Sequence, residues 1–180
     1  MAIQDVRDRL LRSTATLAAA KVPYAVAGGN AVAEWVGRVD KAAVRFTQDV
    51  DLLIRRADLP RAIEAMQAAG FIFHQSFGVS LFLDGPQASP RDAVHLVFSG
   101  EKVKEREPLA VPDVTDSESA EQFQVVSLES LVTMKLTAFR RKDQVHLLDM
   151  LGVGLIDDSW LARLPEPLAE RLKELIEHPE

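Results

Sequence analysis

Tyr24-Ala-Val-Ala-Gly-Gly-Asn30, followed after a helix-length interval by Thr47-Gln-Asp-Val-Asp-Leu-Leu-Ile54, is the stretch that decides how this chain folds. Tyr24 to Ala27 reads as a short buried strand cut off by Gly28-Gly29. Asn30 reads as the cap of a helix through Ala31, Val32, Trp35 and Val36 that Gly37 stops. Asp49 to Ile54 alternates in polarity and reads as a second strand. Asp49 and Asp51 are two apart, so both carboxylates leave one face, while Val50, Leu52 and Ile54 point to a core on the other.

Two carboxylates held that close repel one another unless a cation stands with them. Hard divalent ions such as Mg²⁺ take such oxygens and bridge them to substrate phosphates. The glycine turn lets backbone approach a ligand, and the helix behind it offers unpaired N–H groups to an anion. Alone, each feature has a plainer reading: a solvated strand face for the aspartates, a tight strand-to-helix turn for the glycines. Together they are the equipment for metal-assisted phosphoryl or nucleotidyl transfer.

Working outward, Val6, Leu10, Leu11, Leu17 and Ala18 share helical spacing with Ile3 over residues 3–20. Asp58 and Pro60 open another helix, which Gly70 closes. Residues 71–74 and 79–83 read as strands joined by a turn at Phe77-Gly78, and 84–90 as a loop. Residues 93–98 are a further strand, 100–121 a surface excursion, and 123–126 a last edge strand. From Ser127 the chain turns helical, over roughly 127–141, 142–151, 157–163 and 167–177. The expectation is an α+β fold in two parts: a mixed β-sheet flanked by helices in 1–126, with a C-terminal helical segment, 127–180, packed on it.

Composition is that of an ordinary globular chain, with 47% hydrophobic and 27% charged residues. The formal net charge of -6 gives no support for a dedicated duplex-binding protein. With no cysteine, thiolate metal sites and disulfides are excluded. The first residues hold no apolar signal core and no run is long enough to span a bilayer, so a cytoplasmic location without membrane contact is the expectation.

Val26-Ala-Gly-Gly-Asn-Ala31 followed by Thr47-Gln-Asp-Val-Asp-Leu52 resembles the DNA polymerase beta-like nucleotidyltransferase superfamily. It looks most like the bacterial branch of AbiEii/AbiGii-type toxins and small antibiotic nucleotidyltransferases. The likeness extends to Ser127-Leu-Glu-Ser-Leu-Val-Thr-Met-Lys-Leu-Thr-Ala138 and to Arg140-Arg-Lys-Asp-Gln-Val-His-Leu-Leu-Asp149, covering about residues 20–152. The resemblance implies a nucleotidyltransferase-like fold in which Asp49 and Asp51 bind two Mg²⁺ ions. Gly28, Gly29 and Asn30 would hold the phosphates of a nucleoside triphosphate, and Lys135 would face the cleft to meet phosphate. The acceptor would be an RNA end, a protein hydroxyl or a small molecule. A toxin–antitoxin pairing, with an antitoxin as partner, goes with that branch.

The superfamily draws a third carboxylate from a later strand, and here that strand reads Ala93-Val-His-Leu-Val-Phe98. His95 stands in the expected place, either as a base or metal ligand or as a core or edge histidine. A bulge after Pro90 would bring Asp92 round instead. The departure supports an alternative function, a catalytically weakened nucleotide- or partner-binding module.

On the helix after Ser127, Leu128, Leu131, Val132 and Phe139 form one apolar stripe, and Lys135 falls on it. Lys135 either snorkels out at the edge or is kept inside. In the next helix Lys142, His146 and Asp149 share a face, with Val145, Leu148 and Leu151 as the buried one. Lys142 and Asp149 are then either part of the cleft wall or a solvated, ion-paired surface.

Overall fold

Short apolar strands, each too brief to stand alone, assemble here into one sheet. The computed structural model describes residues 2–179, with side chains from Asp5 onward; Ile3, placed above on the first apolar stripe, lies outside the described side chains. The elements run α1 (Ala2–Ala19), β1 (Tyr24–Ala27), α2 (Gly28–Val39), β2 (Val50–Ile54), α3 (Leu59–Ala68), β3 (Ile72–Ser76), β4 (Val79–Leu83) and β5 (Ala93–Phe98). They continue with β6 (Ser117–Ser119), β7 (Gln124–Val126), α4 (Leu128–Ala138), α5 (Arg141–Gly152) and α6 (Glu166–Glu177), a 3₁₀ segment at Asp158–Arg163 preceding the last.

The seven strands lie in the order β3-β4-β5-β2-β1-β7-β6. β2 runs parallel to β5 and β1 parallel to β7, and the remaining neighbours are antiparallel. The fold is α+β, a mixed sheet flanked by helices. β1 and most of β2 are buried on both faces: all of Tyr24–Ala27, with Val50, Leu52, Leu53 and Ile54. α1 packs on β1, β2 and β5 and on α3, while α2 packs on β1, β2 and β7. α4 and α5 lie against α2, and α6 against both of them. The register sets Asp51 between Ala27 of β1 and His95 of β5. Among the described residues no helix is long and apolar enough to cross a membrane.

Several local expectations need correcting. α2 begins at Gly28, with Ala27 at its cap and no side-chain capping bond, because the positive φ of Gly28 (62°) turns the strand straight into the helix. Asn30 is therefore not a cap. Nor does Gly37 stop α2: it keeps helical backbone, and the helix runs on to Val39. Its missing side chain admits Val44, whose Cγ2 lies 3.3 Å from where a Cβ would stand. Residues 124–126 are not an edge, since β6 pairs outside them. That three-residue polar strand carries no apolar alternation by which sequence could reveal it.

The orientation expected for α5 is rotated: Leu148 and Leu151 pack at the margin of the core and Lys142 is exposed, but the centre of the buried face lies elsewhere. The buried residues are Asp143, His146, Leu147 and Met150, while Val145 is exposed. The helix turns its polar Asp143 inward because that carboxylate has four donors waiting there, described below.

Candidate functional site

A cleft of about 370 Å³ opens over the sheet where β1 ends and β2 and β5 begin. Its floor is made by Gly28, Asp49, Asp51 and His95, its roof by Lys135, Arg140, Lys142 and Asp143. One end is apolar, lined by Val103, Leu109 and Val111 from the excursion and by Leu131 and Met134 from α4.

The two glycines do different work on the floor. A Cβ on Gly28 would overlap the Asp51 carboxylate, so the bare backbone is what allows Asp51 to lie there. A Cβ on Gly29 would meet Thr47 instead, 2.8 Å from its Cβ. Gly29 and Asn30 are not among the cleft-lining residues. They hold the segment that delivers Asp49: Thr47 sits in the space left by Gly29, its Oγ1 accepts from the Asp49 N–H (3.3 Å), and Asn30 Nδ2 donates to the Asp49 carbonyl (2.7 Å).

Asp51 and His95 are register partners on parallel strands, so their side chains leave the same face. Burial pushes the Asp51 carboxyl above its ordinary value, and the neighbouring Asp49 pushes the same way. The positive charge of Lys135 and Lys142 only partly opposes this. Asp51 is thus a partly buried carboxylate short of a cation. Asp92, by contrast, stays out of the site: it ends a 3₁₀ turn, is exposed, and faces Arg9 at 3.9 Å. No bulge turns it toward the cleft, because Ala93 enters β5 directly.

Lys135 does not snorkel. It is 5% exposed, and its ammonium donates to Asp143 Oδ1 at 2.9 Å. Asp143 also accepts from the Arg140 backbone N–H (3.1 Å), Nε (2.7 Å) and Nη2 (3.3 Å). Burial alone would raise the Asp143 carboxyl, but Arg140 and Lys135 outweigh it and hold it below the ordinary range. Burial lowers the Lys135 ammonium, with Asp143 opposing. Lys142, on the exposed first turn of α5, reaches back to Asp49 Oδ2 at 2.5 Å. Asp149 does not line the cleft and is engaged by Arg45 through Nε (2.9 Å) and Nη2 (3.0 Å). His146 is buried with Nδ1 unpartnered, and burial, then Lys135 and Lys142, lower it to about 4.

Three contributors carried no clear signal. Asp143 lies inside the quoted α5 stretch, but helical spacing alone assigned it no partner. Arg140 caps α5 and closes on Asp143. Arg171 of α6 donates Nη1 to the carbonyls of Leu136 (2.6 Å) and Thr137 (2.8 Å) and lies over the Phe139 ring. It thereby caps α4 at Phe139, which takes the left-handed conformation there (φ 48°).

The donor set fits a hard divalent ion. Asp49 and Asp51 supply oxygens, and Asp51 is electrostatically short of positive charge. Among the described residues no three His, Asp or Glu side chains converge into a ready cage, so phosphate oxygens and water would complete the shell, as is usual for Mg²⁺.

No family model matches the chain, and no curated protein matches it in sequence. Solved structures do match. The solution structure of the antibiotic-resistance factor ANT(2'')-Ia is similar over 99% of this chain and 94% of its own, at 12% identity and a TM-score of 0.58. An antigenic nucleotidyltransferase-like protein from Paracoccidioides brasiliensis is similar over 99% and 91%, at 17% identity and a TM-score of 0.64. A candidate nucleotidyltransferase from H. pylori is similar over 99% and 77%, at 16% identity and 0.53. The fold is nucleotidyltransferase-like. At these identities the likeness is one of fold.

Proposed function

We propose that the chain is a Mg²⁺-dependent nucleotidyltransferase that moves a nucleoside monophosphate from a nucleoside triphosphate to a hydroxyl acceptor. The observation that carries this reading is the meeting of Asp51 with the bare Gly28 backbone and His95 under the cations Lys135 and Lys142. A bound Mg²⁺ would supply charge neutralisation at the phosphates and leaving group. Asp49 and Asp51 would hold it. The backbone of Gly28, where α2 begins, would take phosphate oxygens at the positive end of the helix. Lys135 and Lys142 would neutralise phosphate charge. The acceptor oxygen attacks the α-phosphorus, its proton passes to His95, and the bond to the bridging oxygen breaks to release pyrophosphate. In this reading residues 1–126 supply the floor of the site and 127–180 its roof.

Calorimetric titration with ATP, CTP, GTP and UTP in Mg²⁺ tests binding, and pyrophosphate release tests turnover. The acceptor panel holds an RNA 3′ end, a protein hydroxyl and small-molecule alcohols, antibiotics among them because one fold neighbour is an antibiotic-resistance factor. Failure of every nucleotide to bind overturns the reading. His95→Ala should lower kcat by about a hundredfold, the low end for a positioned base, with nucleotide affinity unchanged.

A second reading has one observation in its favour: His95 stands where a third carboxylate would. Metal-dependent nucleotide binding, with no pyrophosphate from any acceptor, would make this a binding module. The AbiEii-like branch and an antitoxin partner rest on the quoted α4 and α5 stretches, and co-purification with the product of a neighbouring gene tests them.

A further inference from the structure

The segment that carries Asp49 is strapped to α5 by two ion pairs of opposite sense. Arg45 reaches forward to Asp149 in the last turns of the helix, and Lys142 reaches back from its first turn to Asp49. The backbone of Asp49 is held separately, by Asn30 at its carbonyl and Thr47 at its N–H. The backbone that carries the carboxylate is therefore held independently of its counter-ion, which can leave without releasing it. Lys142 is 48% and Asp49 38% exposed, so solutes can compete for the pair. Lys135 offers no such freedom, since it is buried and tied to a buried carboxylate.

We infer that Lys142 is an exchangeable counter-ion. It neutralises Asp49 while no metal is bound, yields that carboxylate to Mg²⁺ arriving with a nucleoside triphosphate, and turns its ammonium to phosphate. This rests on the nucleotidyltransferase reading above. An ammonium and a divalent ion cannot both neutralise one carboxylate oxygen at contact distance. A half-exposed ion pair is weak enough to be broken. The flexible lysine stem lets the charge swing without unwinding α5. The consequence is positive coupling: Mg²⁺ alone competes with Lys142 and binds poorly, whereas Mg²⁺ with nucleotide brings the phosphate that Lys142 accepts in exchange.

The test is calorimetry on the whole chain, with Mg²⁺ alone and then with ATP, CTP, GTP and UTP at saturating Mg²⁺, for wild type, Lys142→Met and Lys142→Arg. Lys142→Met removes the competitor and the phosphate partner together. It should tighten Mg²⁺ alone by about two- to fivefold, the scale of an exposed pair. It should weaken the Mg²⁺–nucleotide complex by about tenfold, the scale of a charge-assisted contact. Lys142→Arg should keep Mg²⁺ alone within about twofold of wild type, because the competing charge remains. If wild type binds no nucleotide, the proposed function itself fails. If wild type binds nucleotide but Lys142→Met leaves Mg²⁺ affinity unchanged or lowers it, exchange is overturned while the proposed function stands.

Discussion

The floor of the cleft holds a partly buried carboxylate and the roof a fully buried one, and the two are treated in opposite ways. Asp143, in the roof, receives Lys135 and three donors of Arg140, and its ionised form is favoured. Asp51, in the floor, has Asp49 beside it and distant cations, and its ionised form is disfavoured. Both lie within one cleft, so burial alone does not explain the difference. The roof closes its charges internally and can be built once. The floor leaves a charge deficit that only an added cation relieves, which is what a ligand site requires and a structural site avoids.

The largest effect expected from breaking this contrast is at Asp51. Asp51→Asn should reduce Mg²⁺-dependent pyrophosphate release by about a thousandfold or more, the scale for losing a preorganised transition-state contact. The same change should raise the melting temperature of the metal-free protein at neutral pH. The sign follows from the raised carboxyl: Asp51 contributes stability fully below its unfolded value near 3.8 and loses it as pH climbs through the higher folded value. Wild type should gain stability from Mg²⁺ plus nucleotide where the variant does not. A variant no more stable than wild type when metal-free would remove the deficit from the floor.

In the roof the sign is opposite. Asp143→Ala strands the Lys135 ammonium in a buried position and should cost about 3–5 kcal/mol, measured by urea unfolding. Replacing both partners, as Lys135→Met with Asp143→Leu, should recover part of that loss, because no buried ammonium is left unpaired. The exposed Arg140 guanidinium can turn to water, while the Arg140 N–H loses its acceptor. The double variant should still lose nucleotide affinity, which separates the structural role of the pair from its role at phosphate.

The same contrast explains what sequence could show. The floor is local: Gly28 and Asp51 are 23 positions apart by number, but each belongs to a motif whose spacing already states its geometry. Strand period placed Asp51, and the bare turn announced a close approach. The roof is made by rotation and reach, which spacing does not encode. Lys135 on an apolar stripe read more readily as an edge lysine than an inward one, and only Asp143, eight residues on across a left-handed Phe139, decides it. The apolar count of α5 favoured Val145, Leu148 and Leu151 inward, but ion pairing turned Asp143 in, and His146 is buried on the same side. Asn30 looked like a cap because its type suits one, yet the positive φ of Gly28 made a cap unnecessary.

His146 gives a smaller effect and a pH signature for the roof. Its value of about 4 lies below the ordinary 6.5, through burial and then Lys135 and Lys142, with Asp143 and Asp149 opposing. A depressed histidine contributes stability above its unfolded value and loses it as pH falls from 6.5 towards 4. One proton adds a slope of at most about 1.4 kcal/mol per pH unit there. His146→Gln should flatten unfolding curves in that window and leave those above pH 7 parallel to wild type. An unchanged acid limb would mean that His146 is charged in the fold.

The smallest effect is expected at Gly29, and it tests whether the floor is held from behind. Gly29 has ordinary backbone dihedrals, so Gly29→Ala carries no conformational strain of the kind Gly28→Ala would. Its new methyl would instead press on Thr47, whose Cβ, Oγ1 and Cγ2 stand 2.8, 2.9 and 3.0 Å away. Overpacking of that order costs about 1–3 kcal/mol, with the backbone of the 45–49 segment giving way. Thr47 also holds the Asp49 N–H, so the displacement should weaken Mg²⁺–nucleotide binding by more than the melting temperature suggests. Thr47→Ala removes two of the three clashing atoms. Gly29→Ala with Thr47→Ala should therefore be more stable than the two single losses predict, a coupling readable by a double-mutant cycle. Additive losses would mean that Gly29 and Thr47 do not bear on one another, and that Asp49 is placed by Asn30 alone.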